Sequence, residues 1–516
     1  MGGQIAQAGA EFEQLAFFIQ VPNLNSLLGQ TLTRVEQFLS AHRAVDPAFF
    51  PGMTAAEVVY KGATSGNWIR MFDDIKERIR VEPKTLFLFI HDEAHWSPTT
   101  GTAGYFINDE LLRTSPNVYT LFVSATPYNL LTVDTQVPVE NEHQWFTPNE
   151  ATTYYGLQRY LEHGVAPGAR GCQPGAIMKD LLLSDAARKM RLTPALEERW
   201  LTWREQAQTG EREKKSAQRT KLKMLMAVET RYAAAFLQAM GRRPADLPPG
   251  ATLRLPDGSA LPELPEGDLT LEMVQQLVQP DRRTGRGIMI LVRVADQKCG
   301  RLLFGSMRRL RDFLGLQARV AVIIDINQTE ARTDDNSFGL KETIEEPLLA
   351  RLLRLQRASG LVPPDAAEPL LRQYSDLDGL PCVLILCEKG KMGDTFPRSL
   401  RYYDLRMRYV NSCTERAATE QDLGRAFRYI SSPGAEAELP TILVSDQLHN
   451  WLMGKRGGRM GLLERPPSRP ELMGKAPRTK VYDPPCPPFL APTPGPPAIS
   501  SLDAVITALG VRCSYV

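Results

Sequence analysis

Several absences narrow the reading of this 516-residue chain before any motif is considered. Its seven cysteines, at 172, 299, 382, 387, 413, 486 and 513, include no CxxC pair. That spacing supports neither a zinc module nor a disulfide framework, so a reducing, intracellular compartment is expected, cytoplasm and nucleus being equally compatible. No run of ~18 apolar residues occurs, so no membrane span and no membrane partner are expected. The opening MGGQIAQAGAEFEQL lacks the apolar stretch of a signal peptide, and Ala6 breaks the myristoylation pattern. There is little charge imbalance, 61 basic against 59 acidic side chains, a net charge of +2. Bulk charge therefore neither supports nor excludes a nucleic-acid partner, and any basic surface must be local. No internal repeat is found.

What is present is ordinary globular composition, 43% hydrophobic and 23% charged, in a chain long enough for two or three domains. Residues 1 to about 80 read as mainly helical, from apolar residues spaced three and four apart in EQLAFFIQVPNLNSLLGQTLTRVEQFLSAHR. LFLFI (86–90) and VYTLFV (118–123) read as buried strands. Residues 149–280 read as a charged helical insertion followed by a Pro/Gly-rich linker. The buried-strand pattern returns four times, in GIMILVRV (287–294), ARVAVIID (318–325), PCVLILC (381–387) and PTILVSD (440–446). Between the first two lies an amphipathic helix carrying Leu302, Leu303, Met307, Leu310 and Leu314. Strands alternating with helices, each strand continuously apolar, predict a parallel α/β sheet. From residue 457 a proline-dense tail is expected to be extended and solvated.

Two apolar runs end in chemistry. LFLFIHDEAH places Asp92 and Glu93 just past a buried strand, and VSAT places Ser124 and Thr126 past the next. Adjacent carboxylates at a strand end suit a magnesium–triphosphate complex, Asp92 for the ion and Glu93 for the attacking water. His91 and His95 are four apart, but the metalloprotease pattern needs Glu directly after the first His on a helix, and here Asp follows on a strand. Far downstream, QDLGRAFR (421–428) sets Arg425 and Arg428 three apart, which on a helix would project both from one face. KGKMGDTFP (389–397) follows a buried strand with glycines that permit close backbone approach. RSLRYYDLRMR (398–408) mixes arginine with Tyr402 and Tyr403; it reads either as a base-stacking surface or as a packed helix with cations reaching water.

DEAH, SAT, KGKMGD and QDLGRAFR, in this order, resemble motifs II, III, V and VI of the superfamily 2 helicases. The resemblance covers roughly residues 60–150 and 285–450. It implies two RecA-like lobes: lobe 1 within 1–148, N-terminally incomplete, and lobe 2 over 281–456, with 149–280 inserted between them and the tail at 457–516. It implies ATP and Mg2+ as cofactors and DNA or RNA as partner. By the same resemblance Glu93, Gln421, Arg425 and Arg428 are catalytic and Asp92 holds the metal. His95, Ser124 and Thr126 couple the motifs; Lys389, Lys391, Gly393 and Asp394 contact nucleotide or nucleic acid. One part of the pattern is not met, since no GxxxxGK[ST] phosphate loop precedes DEAH in residues 1–91. The reading is therefore a helicase-like ATP-dependent motor in truncated form. Its alternative is a hydrolysis-deficient relative that binds nucleic acid or protein, with the insertion or the proline-rich tail as protein-docking segments.

Overall fold

The computed structural model describes residues 12, 14–21, 25–47, 50–61, 66–92, 111, 115–123, 154–163, 171–190, 212–242, 261–326, 343–387, 389–390, 395–409, 413–430 and 438–456. The chain divides into two compact units, 1–148 with 412–417 and 460–516, and 149–411 with 418–459. The expected tail at 457–516 lies outside the described residues.

The first unit contains β1 (Gln14–Val21), α1 (Asn25–Arg43), α2 (Ala55–Val58), β2 (Val59–Lys61), α3 (Gly66–Val81), β3 (Thr85–His91) and β4 (Val118–Phe122). Its sheet has the order β2-β1-β3-β4 with every pair parallel. β1 corrects the helical expectation for the N-terminal region. Five consecutive apolar residues, Leu15 to Ile19, leave a helix no polar face, and Pro22 disfavours helical geometry at Val21. The strand instead runs beside β3 for seven residues, from Gln14 opposite Thr85 to Gln20 opposite His91.

Alternation on β3 sorts the core of this unit. Phe87 and Phe89 pack on one face with Phe18, Phe72, Ile75 and Ile79 from β1 and α3. Leu88 packs on the other with Phe17, Val35 and Leu39 from β1 and α1. The buried Asn117 amide donates to the carbonyls of Ile79 and Glu82, both at 3.2 Å, and so fixes the end of α3 against the start of β4.

The second unit opens with β5 (Tyr154–Tyr155), α4 (Leu157–Glu162), β6 (Ile177–Lys179), α5 (Leu181–Lys189), α6 (Arg212–Ala239) and α7 (Leu269–Val278). There follow β7 (Met289–Arg293), α8 (Gln297–Phe313), β8 (Ala321–Ile326), α9 (Glu346–Ser359), a 3-10 turn at Tyr374–Leu377 and β9 (Cys382–Cys387). It closes with β10 (Leu400–Asp404), α10 (Cys413–Gly424), β11 (Arg428–Tyr429), β12 (Thr441–Val444) and α11 (Asp446–Arg456). The main sheet has the order β6-β12-β10-β7-β9-β8, all parallel, and β5 pairs with β11 antiparallel.

Four of those six strands are the expected ones; β6 and β10 are additional. β10 also overturns both readings of RSLRYYDLRMR. It is a central strand between β12 and β7, and Tyr402 and Tyr403 are 3% and 0% exposed, so neither ring is available to stack a base. The segment expected as an insertion supplies β6 to the sheet edge. It also supplies α6 and α7 to one face of the core, where Ala234, Phe236, Met273 and Val274 meet Ile290, Val292, Val383 and Ile385. The other face buries Met289, Leu291, Leu384 and Leu386 under α9, α10 and α11.

Five buried charged side chains fasten these layers. The Arg406 guanidinium bonds the carboxylates of Asp404 and Asp180 and the Thr270 hydroxyl, while Arg231 pairs with Asp268. Asp180 accepts the Leu183 N–H at the start of α5, Asp268 accepts those of Thr270 and Leu271 at the start of α7, and Tyr232 on α6 donates to Asp404. Each charge is thus compensated by an opposite charge, and all but Arg231 by further hydrogen bonds, the condition under which buried ions are tolerated.

Candidate nucleotide site at the strand ends

In parallel α/β sheets ligands bind beyond the carboxyl ends of the strands. In the first unit three strands end together. The Asp92 N–H donates to the Gln20 carbonyl at 2.9 Å, and the Val123 N–H donates to the His91 carbonyl at 2.8 Å. The ladder thus runs one residue past β3 and fixes the Asp92 backbone with its side chain half-buried. Beneath it, His91 is 2% exposed, and burial lowers its pKa to about 3, so the ring is neutral. Gln20, its neighbour on β1, is 6% exposed, and its side-chain amide has no hydrogen-bond partner. An unsatisfied buried amide costs about 1–3 kcal/mol. In register it lies beside His91, and both side chains are shut off from solvent. Magnesium fits the Asp92 carboxylate, because it takes one or two carboxylates, retains several waters and uses phosphate oxygens for the rest. Among the described residues no group of three His, Cys, Asp or Glu side chains could hold a metal alone.

Glu93, His95, Ser124 and Thr126 lie outside the described residues, as do Lys391, Gly393 and Asp394. Lys389 is described, at the carboxyl end of β9. The loop that carries it is held by Arg293 at the end of β7. That guanidinium, 1% exposed, donates to the carbonyls of Lys389 and Gly390 and to the Tyr403 hydroxyl, and pairs with Asp422 on α10 at 3.2 Å. Asp422 also pairs with Arg408 at 2.5 Å. Burial works against the Arg293 charge, but Asp422 and Tyr403 outweigh it and raise its pKa. Gly390 has φ +62°, and a Cβ there would meet Leu386 and Phe396 side-chain carbons at 2.9 Å, so only glycine fits the turn. Arg293 therefore joins the loop bearing Lys389 to the helix bearing Gln421, which precedes Asp422.

Arg425 and Arg428 do not share a helix face, correcting the expectation. α10 stops at Gly424, Arg425 sits in the turn that follows, and Arg428 belongs to β11 opposite Tyr155. The Arg425, Ala426 and Phe427 N–H groups bond three residues back, a tightened last turn that ends the helix. Arg428 donates to the Pro397 carbonyl at 2.8 Å, and burial lowers its pKa.

Sequence reasoning missed Arg293 and Gln20. The signal in each case was a polar residue inside an otherwise apolar strand, GIMILVRV and QLAFFIQV.

Two units, each a parallel sheet with helices on both faces, define the class as α/β with two RecA-like lobes. The chain belongs to the family described as circularly permuted SF2 helicase found in GREB1 proteins, whose model matches residues 4–443. It is 28% identical over 461 residues to the GREB1-like protein of Homo sapiens, covering 83% of this chain and 20% of that one. Against the GREB1-like protein of Danio rerio it is 26% identical over 458 residues, 83% and 20% of the two chains. Protein GREB1 of Mus musculus is 26% identical over 376 residues, 68% of this chain and 16% of that one. The chain spans about a fifth of the length of the curated relatives it matches. No solved structure matches it. Among the described residues no helix is long and apolar enough to cross a membrane.

Proposed function

We propose that the chain is the nucleotide-binding core of a helicase-like motor that acts on DNA or RNA, with ATP and Mg2+ at the strand ends of the first lobe. The observation that carries this reading is Asp92, half-buried at the junction of three parallel strand ends, its N–H bonded to the Gln20 carbonyl and the neighbouring His91 carbonyl bonded to the Val123 N–H. In this reading Asp92 holds the metal and Glu93 orients and deprotonates water. The motif resemblance assigns Gln421 and Arg425 to the terminal phosphate, and Lys389, Lys391, Gly393 and Asp394 to phosphate or nucleic-acid backbone. His95, Ser124 and Thr126 relay the nucleotide state. The metal, when bound, supplies charge neutralisation at the phosphate oxygens. Permutation accounts for the lack of GxxxxGK[ST] ahead of DEAH. A permuted chain carries the segments that open an ordinary first lobe at another place in its sequence.

One observation favours the second reading, a hydrolysis-deficient binding module: Arg428 is committed to the Pro397 carbonyl inside its own lobe. The two readings separate on one preparation. Expected for the motor are Mg2+-dependent ATP binding and turnover, with Glu93→Gln losing turnover by ~10²-fold or more while binding persists. Nucleic-acid binding without turnover in the parent chain selects the module, and no ATP binding at all removes the motor reading.

A further inference from the structure

The second lobe concentrates positive charge at the opposite edge of its sheet, where β7, β8 and β9 begin. The turn Asp281–Arg286 leads into β7, Gln317–Arg319 leads towards β8, and α9 runs beside both. Arg351 on α9 ties them together, donating to the carbonyls of Gly285 and Arg319. Arg282, Arg283, Arg319, Arg351 and Arg354 thereby share one patch, and among the described residues none of them pairs with a carboxylate. Three acids nearby have partners outside this set of side chains. Asp281 accepts the N–H groups of Arg283 and Thr284, Asp376 those of Arg372 and Gln373, and Asp378 pairs with Arg286. Burial, then Arg354 and Arg319, lowers the Arg351 pKa, so like charges press on one another without relief.

Cations near helix ends also serve carbonyls, and Arg319 does so by donating to Val278 at the end of α7. That role accounts for Arg319 and Arg351 but not for the exposed Arg282, Arg283 and Arg354. A protein partner would need apolar anchors. None of the exposed large apolar side chains among the described residues belongs to these segments. Guanidinium forks match phosphate oxygens, and a duplex presents a phosphate about every 1.7 Å along its axis.

We propose that this arginine face is a second nucleic-acid contact that grips the phosphate backbone of a duplex, distinct from the strand-end site. It deepens the nucleic-acid part of the function proposed above and is independent of ATP turnover. The test is binding of a fluorescent DNA duplex to the full chain across a salt series, parent against R282Q/R283Q/R354Q, three exposed positions. Losing three phosphate contacts lowers the slope of log K against log salt by about 2.7 and weakens binding more than tenfold at ~0.1 M salt. Unchanged slope and affinity overturn the proposal. So does a parent chain that binds phosphatidylserine vesicles through these arginines but not duplex. If the parent turns over ATP and the triple variant keeps its salt slope, this proposal alone falls. If neither turns over ATP but the slopes differ, the motor reading falls and this one stands.

Discussion

The two lobes share a parallel-sheet plan but treat polar groups at their strand ends in opposite ways. The first lobe buries neutral groups side by side, the His91 ring and the Gln20 amide. The second buries full charges, and each is answered: Arg293 with Asp422, Arg406 with Asp404 and Asp180, Arg231 with Asp268. The difference lies in what can be surrounded. β10 and β7 are flanked by strands on both sides and covered by helices α6, α7 and α10, which supply enough opposite charges to compensate a buried guanidinium. The four-stranded sheet of the first lobe offers fewer partners, and the strand that ends beside Asp92 carries an uncharged ring. The first edge leaves Asp92 half-buried past the strand ends; the ion-paired edge gives rigid support to the loop it carries.

The largest effect that would break this comparison is in the second lobe. Arg406→Met leaves Asp404 and Asp180 buried without their main partner and is expected to cost about 3–5 kcal/mol, read from the urea midpoint followed by circular dichroism. A loss below ~1 kcal/mol would mean the knot is not what fastens α5, α6 and α7 to the sheet.

Acid sharpens the contrast next. The folded pKa of His91 lies far below its unfolded value, so the stability it permits is complete above pH ~6.5 and declines as pH falls towards 3, by about 1.4 kcal/mol per pH unit. Burial pushes the Asp180 carboxyl up, but Arg406, Arg231 and the Leu183 N–H together pull it below its ordinary value. Its contribution is therefore complete above pH ~3.9 and is lost only below that. Between pH 6.5 and 4, hydrogen exchange should accelerate at β1 and β3 amides while β7 and β9 amides stay protected, and His91→Leu should abolish the acceleration. Equal loss of protection in both sheets would erase the distinction.

Smaller effects complete the series. Asn117→Ala should cost about 1–2 kcal/mol, because two carbonyls at the end of α3 lose their donor; thermal unfolding of the first lobe reads it. Arg78→Ala removes an exposed i,i+4 pair with Glu82 and should change stability by no more than ~0.5 kcal/mol.

Much of the fold was legible because buried parallel strands are continuously apolar. LFLFI, VYTLF, MILVR, AVIID, CVLIL and TILV all announce themselves, and each ends near a residue with chemistry. β1 was hidden because its apolar run joins directly onto an amphipathic helix, so one periodicity was read across both. β10 was hidden by its tyrosines and arginines, polar tips on residues that the sheet nevertheless buries. Asp92 and Lys389 were placed at strand ends by their motifs, whereas the guanidinium that positions Lys389 stood in no motif.

The residues alone determined that two parallel sheets would form and which acid would stand at the end of a central strand, because burial on both faces forces an apolar run and chemistry must wait for its end. Only tertiary packing decided that α10 stops at Gly424, that Arg428 is spent on the Pro397 carbonyl, and that Arg293 holds the glycine loop. Those outcomes depend on which opposite charge or open carbonyl lies within reach once distant segments meet, and no local pattern carries that information.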